Sequence, residues 1–135
     1  LALAMSGAFA WSEVLPYCAA QFAGAFCGAL LVYLFYYAHW SRTDDHTARR
    51  SVFCTSPAIH NPLQNFVSET VATAILILAL LFIGAHRFAD GLNPVIIGLL
   101  IVSIGLSLGS TTGFAINPAR DLAPRIAYAL LPVSR

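Results

Sequence analysis

The sequence predicts an all-α membrane protein that carries a short helix entering the bilayer without crossing it. Three observations predict this. Hydrophobic residues make up 59% of the 135-residue chain and charged residues 10%, with a mean hydropathy of +0.76. Soluble domains carry about 25% charged residues, so the chain lies far from that class. Apolar runs of spanning length recur along it, at Leu15 to His39, Phe66 to Ala85 and Leu92 to Leu108. Finally, the polar pentapeptide Asn117-Pro118-Ala119-Arg120-Asp121 sits between the apolar runs Val95 to Leu108 and Leu122 to Leu131. Arginine and aspartate at bilayer depth are costly and usually mark a transport pathway.

Leu15 to His39 is apolar apart from Gln21 and ends in an aromatic belt of Tyr36, Tyr37 and Trp40. Ser41 to Asn65 is polar and reads as a water-exposed loop. Phe66 to Ala85 is apolar apart from Ser68, Glu69 and two threonines, and Asn61-Pro62 ahead of it is a helix-capping pair. His86 to Gly91 makes a tight turn. Asn93-Pro94 then supplies an N-cap and a first-turn proline for the third span. Gly109-Ser110-Thr111-Thr112-Gly113 breaks that helix, and non-helical backbone at membrane depth survives only where protein or a water-filled cavity surrounds it. The 14 residues from Pro118 to Leu131 rise about 21 Å, against a hydrocarbon core of roughly 30 Å. That length suits a re-entrant half-helix.

Other features are less specific. Ala20, Gly24 and Gly28, and again Gly105 and Gly109, recur every fourth residue and let helix backbones approach closely, which speaks for a compact bundle and not for a substrate. The net charge of +1 gives no argument for nucleic acid. Three cysteines, two of them within an apolar run, suit neither a disulfide framework nor a metal site. His39, His46, His60 and His86 lack the paired spacing of ligands. No nucleophile–base spacing points to an enzyme, and no cofactor is expected.

Gly113-Phe114-Ala115-Ile116-Asn117-Pro118-Ala119-Arg120-Asp121, followed by Pro124-Arg125, resembles the second Asn-Pro-Ala box of the major intrinsic proteins, and more narrowly that of their bacterial glycerol facilitators. Gln21 to Gly28 with Leu31-Val32-Tyr33 resembles the family's third membrane helix, Phe66-Val67-Ser68-Glu69 its fourth, and the stretch after Gly98 its fifth. The resemblance implies an aquaporin-like right-handed helical bundle, with residues 1–135 forming one partial channel domain. That domain runs from inside a first half-helix to the end of the second and holds three transmembrane helices plus re-entrant half-helices. It further implies a passive channel for glycerol, other small neutral solutes and water. The full-length protein is expected as a homotetramer in the lipid bilayer of a bacterial cytoplasmic membrane. A strict water channel, or a secondary transporter with broken helices, is the alternative.

The chemistry of the box follows from helix ends. Asn117 as N-cap and Pro118 at the first helical position leave free N–H groups and the positive dipole end facing outward, and a guanidinium nearby opposes cations while neutral solutes pass. Arg120 offers five fixed donors, suited to gripping two hydroxyls of a polyol, and could equally serve a structural ion pair. Phe114 offers a flat apolar wall or, alternatively, a core aromatic. By resemblance both belong to the narrow selectivity region with Ala119, where carbonyls of Gly113, Phe114 and Ala115 accept from the solute. Glu69 is read as support that accepts loop N–H groups, and Asp121 and Arg125 as support for the half-helix. The same resemblance makes an acid after the box arginine, and a base four residues later, marks of glycerol conductors.

One rule points the other way. Arg42, Arg49 and Arg50 in the long linker, against Arg87 in the short one, place the long linker in the cytoplasm by counting Lys and Arg. The resemblance places it outside. Asp44 and Asp45 dilute the bias, and we follow the resemblance.

Overall fold

The computed structural model describes residues 1–134 and contains α-helices and no strand among them. In chain order the helices are α1 (Ala2–Met5), α2 (Trp11–Phe35), α3 (Tyr37–Trp40), α4 (His46–Ser51), α5 (Pro62–Gly84), α6 (Leu92–Leu108) and α7 (Pro118–Leu130). The chain divides into two compact units. One joins Leu3–Thr55 to the segment that begins at Asn117, and the other is Ser56–Ile116.

In the first unit, α2 runs 25 residues, about 38 Å, and begins four residues before the expected Leu15. Trp11, Ser12 and Glu13 supply the extra turn, with the Glu13 carboxylate at the positive end of the helix. Pro16 lies inside the helix and withholds the N–H that Ser12 would have used. The predicted span to His39 is interrupted at Tyr36, which leaves helical geometry at φ −95° and ψ 16°. The cause is local. The Trp40 indole donates to the Tyr33 carbonyl at 2.8 Å, taking the acceptor that an unbroken helix would offer to Tyr37. The Tyr33 and Trp40 rings stack at 6.1 Å over this break.

The linker after Trp40 is not the open loop that its polarity predicts. Asp45 caps α4 by accepting from the Thr47 N–H at 2.7 Å. Phe53 and Cys54, each 6% exposed, then enter the core of the unit beside Ala29, Ala127 and Val133. Two apolar residues set in a polar stretch are anchored because they bury surface against α2 and α7. The face of α7 that packs on α2 is a stripe of Ala119, Ala123 and Ala127, all buried, one per turn. Alanine here permits close helix approach and leaves the other faces of α7 to larger groups.

In the second unit, Asn61 caps α5 by accepting from the Gln64 N–H at 3.2 Å, with Pro62 at the first helical position. The helix runs 23 residues. Asn93 does not cap α6: the cap is Gly91, whose φ of +79° is the left-handed conformation that glycine adopts without strain, so Asn93 and Pro94 fall within the first turn. Proline costs nothing there, because first-turn N–H groups have no helical partner. α6 has 17 residues, about 26 Å, and packs against α5. Thus α2 and α5 are long and apolar enough to cross a bilayer, while α6 is apolar and shorter.

Large apolar side chains stand outward in both units, among them Phe35 at 81%, Phe82 at 68% and Leu106 at 86% exposure. Surfaces this apolar mark contact with a membrane or with further protein.

Candidate functional site

The site begins where α6 stops. Gly109 ends the helix, and the Gly113 N–H still reaches the Gly109 carbonyl at 2.9 Å. From there no ladder continues. Gly113 (φ +83°), Phe114 (φ +42°) and Ile116 (φ +41°) all take left-handed backbone, a conformation that costs a residue with a side chain about 1–2 kcal/mol. Something must hold the segment open, and that is Glu69 on α5. One carboxylate oxygen accepts from the Ala115 N–H at 3.0 Å and from the Thr112 hydroxyl, and the other accepts from the Ile116 N–H at 2.9 Å. With N–H groups turned to Glu69, the segment's carbonyls are not engaged in a helix and can serve as acceptors for something else.

Phe114 rests on α6. A Cβ built on Gly105 would stand 3.1 Å from the Phe114 Cζ, and one on Gly109 only 2.7 Å from Cδ1. The Gly105/Gly109 pair is therefore a seat for this ring and not the helix-packing groove that its spacing suggested. At Gly24 and Gly28 a Cβ would meet nothing within 4 Å, so among the described residues no neighbour fills that groove.

The boundary between the two units falls between Ile116 and Asn117. On the first unit's side, Asn117 has extended geometry (φ −146°, ψ 116°) and Pro118 opens α7. The Asn117 Oδ1 accepts from the Ala119 N–H at 2.9 Å and from that of Arg120 at 3.5 Å. Turning Oδ1 inward leaves Nδ2 as the amide's other polar group, and Nδ2 can only donate. Arg120, one turn into α7, is exposed. Asp121 donates its N–H to the Asn117 carbonyl at 3.1 Å.

The Asp121 carboxylate engages two partners. Its Oδ1 accepts from Arg125 Nη2 at 2.7 Å and from the Thr55 hydroxyl at 2.6 Å. Arg125 Nη2 also donates to the Thr55 carbonyl at 3.0 Å and to its hydroxyl at 3.2 Å. Sequence reasoning singled out Asp121 and Arg125 and passed over Thr55. An i, i+4 acid–base pair is visible along a helix, whereas a threonine 66 positions away leaves no local signal.

Glycine-broken backbone pinned by a carboxylate, followed at once by an Asn-Pro-capped short helix with an arginine on its first turn, defines a class. The chain belongs to the major intrinsic protein family, whose model matches residues 1–132, and it is accordingly an integral membrane protein. It is similar to the glycerol uptake facilitator protein of Bacillus subtilis (strain 168), 55% identical over 133 residues that cover 98% of this chain and 48% of that protein. It is 52% identical to the probable glycerol uptake facilitator protein of Thermotoga maritima, covering 98% of this chain and 57% of that one. To glycerol uptake facilitator protein 3 of Lactiplantibacillus plantarum the identity is 51%, over 99% of this chain and 56% of that protein. The chain spans about half the length of the relatives it matches.

Proposed function

We propose that this chain contributes part of a passive channel that admits glycerol, other small neutral solutes and water, and that it performs no catalysis. In this reading residues 1–135 belong to one aquaporin-like, right-handed bundle in which α2, α5 and α6 cross the membrane and α7 is a re-entrant half-helix. Its 13 residues rise about 20 Å, too little to cross. The full-length assembly is proposed as a homotetramer in a bacterial cytoplasmic membrane.

The observation that carries the proposal is the Asn117 cap. An amide held by its own oxygen presents a fixed N–H donor at the positive end of a helix, a group that welcomes a hydroxyl or water oxygen and repels a cation. Pro118 and Ala119 keep this turn tight and small. Arg120 adds paired donors for adjacent hydroxyls. On the loop, the carbonyls of Gly113, Phe114 and Ala115 are the proposed acceptors for solute protons, and the Phe114 ring an apolar wall for the carbon side of a polyol. Glu69 and Asp121 act as supports. The names of the relatives, glycerol uptake facilitators, favour glycerol among neutral solutes.

Stopped-flow light scattering on vesicles containing the full-length protein tests this. Glycerol entry should be faster than in protein-free vesicles, indifferent to ion gradients and proportional to the glycerol gradient. Water flux with no glycerol flux would place the protein among strict water channels. Saturable uptake coupled to an ion gradient would make it a secondary transporter.

A further inference from the structure

The linker before α5 touches α7 along one face. Asp121, Arg125 and Tyr128 stand at i, i+4 and i+7, a spacing that aligns them on a single helical stripe. Phe53 sets its ring 5.6 Å from that of Tyr128 and is itself 5.7 Å from Trp40. Two residues on, Thr55 gives its hydroxyl proton to Asp121 and receives Arg125 on both its hydroxyl and its carbonyl. A buried aromatic contact fixes where the linker lies, and that places one hydroxyl on one carboxylate.

We propose that Thr55 is a positioning residue for solute selection, acting through Asp121. This rests on the channel reading above. Asp121 immediately follows Arg120, whose guanidinium acts on the same carboxylate more weakly than Thr55 and Arg125, which hold it. Asp121 is also tied by its N–H to Asn117, the capping residue. A linker hydroxyl is thereby connected to both proposed solute-contacting residues of the first unit. Without that hydroxyl, Asp121 is restrained from its own helix alone and its carboxylate gains freedom to turn toward Arg120. Arg120 then offers its donors to a neighbouring carboxylate and not to a polyol. Glycerol, which needs two oriented hydroxyl contacts, suffers more than water, which needs one.

The test uses the full-length protein in vesicles, with glycerol and water permeability measured on the same preparation. Thr55→Val should lower the glycerol-to-water ratio roughly three- to tenfold, the span expected for losing one ordinary hydrogen bond. Thr55→Ser, which keeps the hydroxyl, should restore the wild-type ratio. The double variant Thr55→Val/Asp121→Asn should lose no more than Asp121→Asn alone, because both changes break one contact. If Thr55→Val does not yield folded protein, Thr55→Ala, which removes the hydroxyl and adds no bulk, carries the same expectation. Equal loss of both permeabilities would reduce Thr55 to a structural tie, and additive losses in the double variant would detach it from Asp121; either result overturns the proposal. A wild-type protein that passes no glycerol overturns the channel reading itself, a result distinct from an unchanged ratio in a conducting Thr55→Val variant.

Discussion

Two carboxylates order two consecutive stretches of this chain, and they do so by opposite means. Glu69 holds the loop after α6 by taking backbone N–H groups, those of Ala115 and Ile116, together with the Thr112 hydroxyl. Asp121 holds α7 to the linker by taking side-chain donors, Thr55 and Arg125. The difference follows from the backbone each one serves. The loop has no internal ladder, so its N–H groups must be satisfied from outside it. The helix satisfies its own backbone, so its acid is available for tertiary contacts. Losing Glu69 exposes an unpaired main chain, whereas losing a contact around α7 leaves the helix itself intact.

That contrast predicts an order of effects. Glu69→Gln should be the most damaging. With the amide oxygen placed on Ala115 and Thr112, its NH2 faces the Ile116 N–H, donor against donor. The expected loss is on the order of 3 kcal/mol, the upper range for a hydrogen bond to a charged group. It should appear as a lowered unfolding midpoint and reduced monodisperse yield in detergent, with some conduction left in the protein that folds. Full yield with conduction abolished would contradict the supporting role and give Glu69 a direct part in transport.

Arg120→Val should come next and should register in selectivity more than in stability. A unit charge about 8 Å from a passing cation at an effective dielectric near 20 contributes about 2 kcal/mol, so cation leak should rise roughly thirtyfold. Neutral-solute flux should hold or increase as the passage widens. Ion currents and solute swelling recorded on one purified sample decide it. Unchanged cation exclusion in a normally folded variant would put Arg120 off the pathway.

Asn117→Ala should be milder in stability than Glu69→Gln. Removing an N-cap side chain costs about 1 kcal/mol, because two N–H groups lose an acceptor while the Ala stripe of α7 stays packed on α2. Its unfolding midpoint should lie well above that of Glu69→Gln. If Asn117→Ala proves the more destabilising of the two, the helix depends on its cap more than the loop depends on its carboxylate, and the contrast is reversed.

Much of this arrangement is legible from local sequence. Apolar runs locate α5 and α6 to within a few residues, glycines announce the break after Leu108, and Asn117-Pro118 marks the start of α7, because each signal is confined to a few neighbouring residues. The beginning of α2 at Trp11 and its interruption at Tyr36 were not legible: the first depends on a helix tolerating Pro16, the second on an indole seven residues away reaching a backbone carbonyl. Asn93-Pro94 has the composition of a cap, yet the turn before it already supplies Gly91 in the left-handed conformation. The largest gap is the linker. Phe53, Cys54 and Thr55 carry no periodicity, and their partners lie on α2 and α7, so polarity alone made an anchored strap look like a solvated loop.

The division of the chain also sets an order of assembly during synthesis. Ser56–Ile116 is continuous and can pack α5 on α6 as soon as both have emerged. The other unit is interrupted by it. Thr55 has no Asp121 to bind until 66 further residues are made, roughly 3–13 s at about 5–20 residues per second. Through that interval Phe53 and Cys54 wait beside an incomplete partner surface, and a released chain truncated between Ile116 and Asp121 would hold a finished loop and an unfinished clamp.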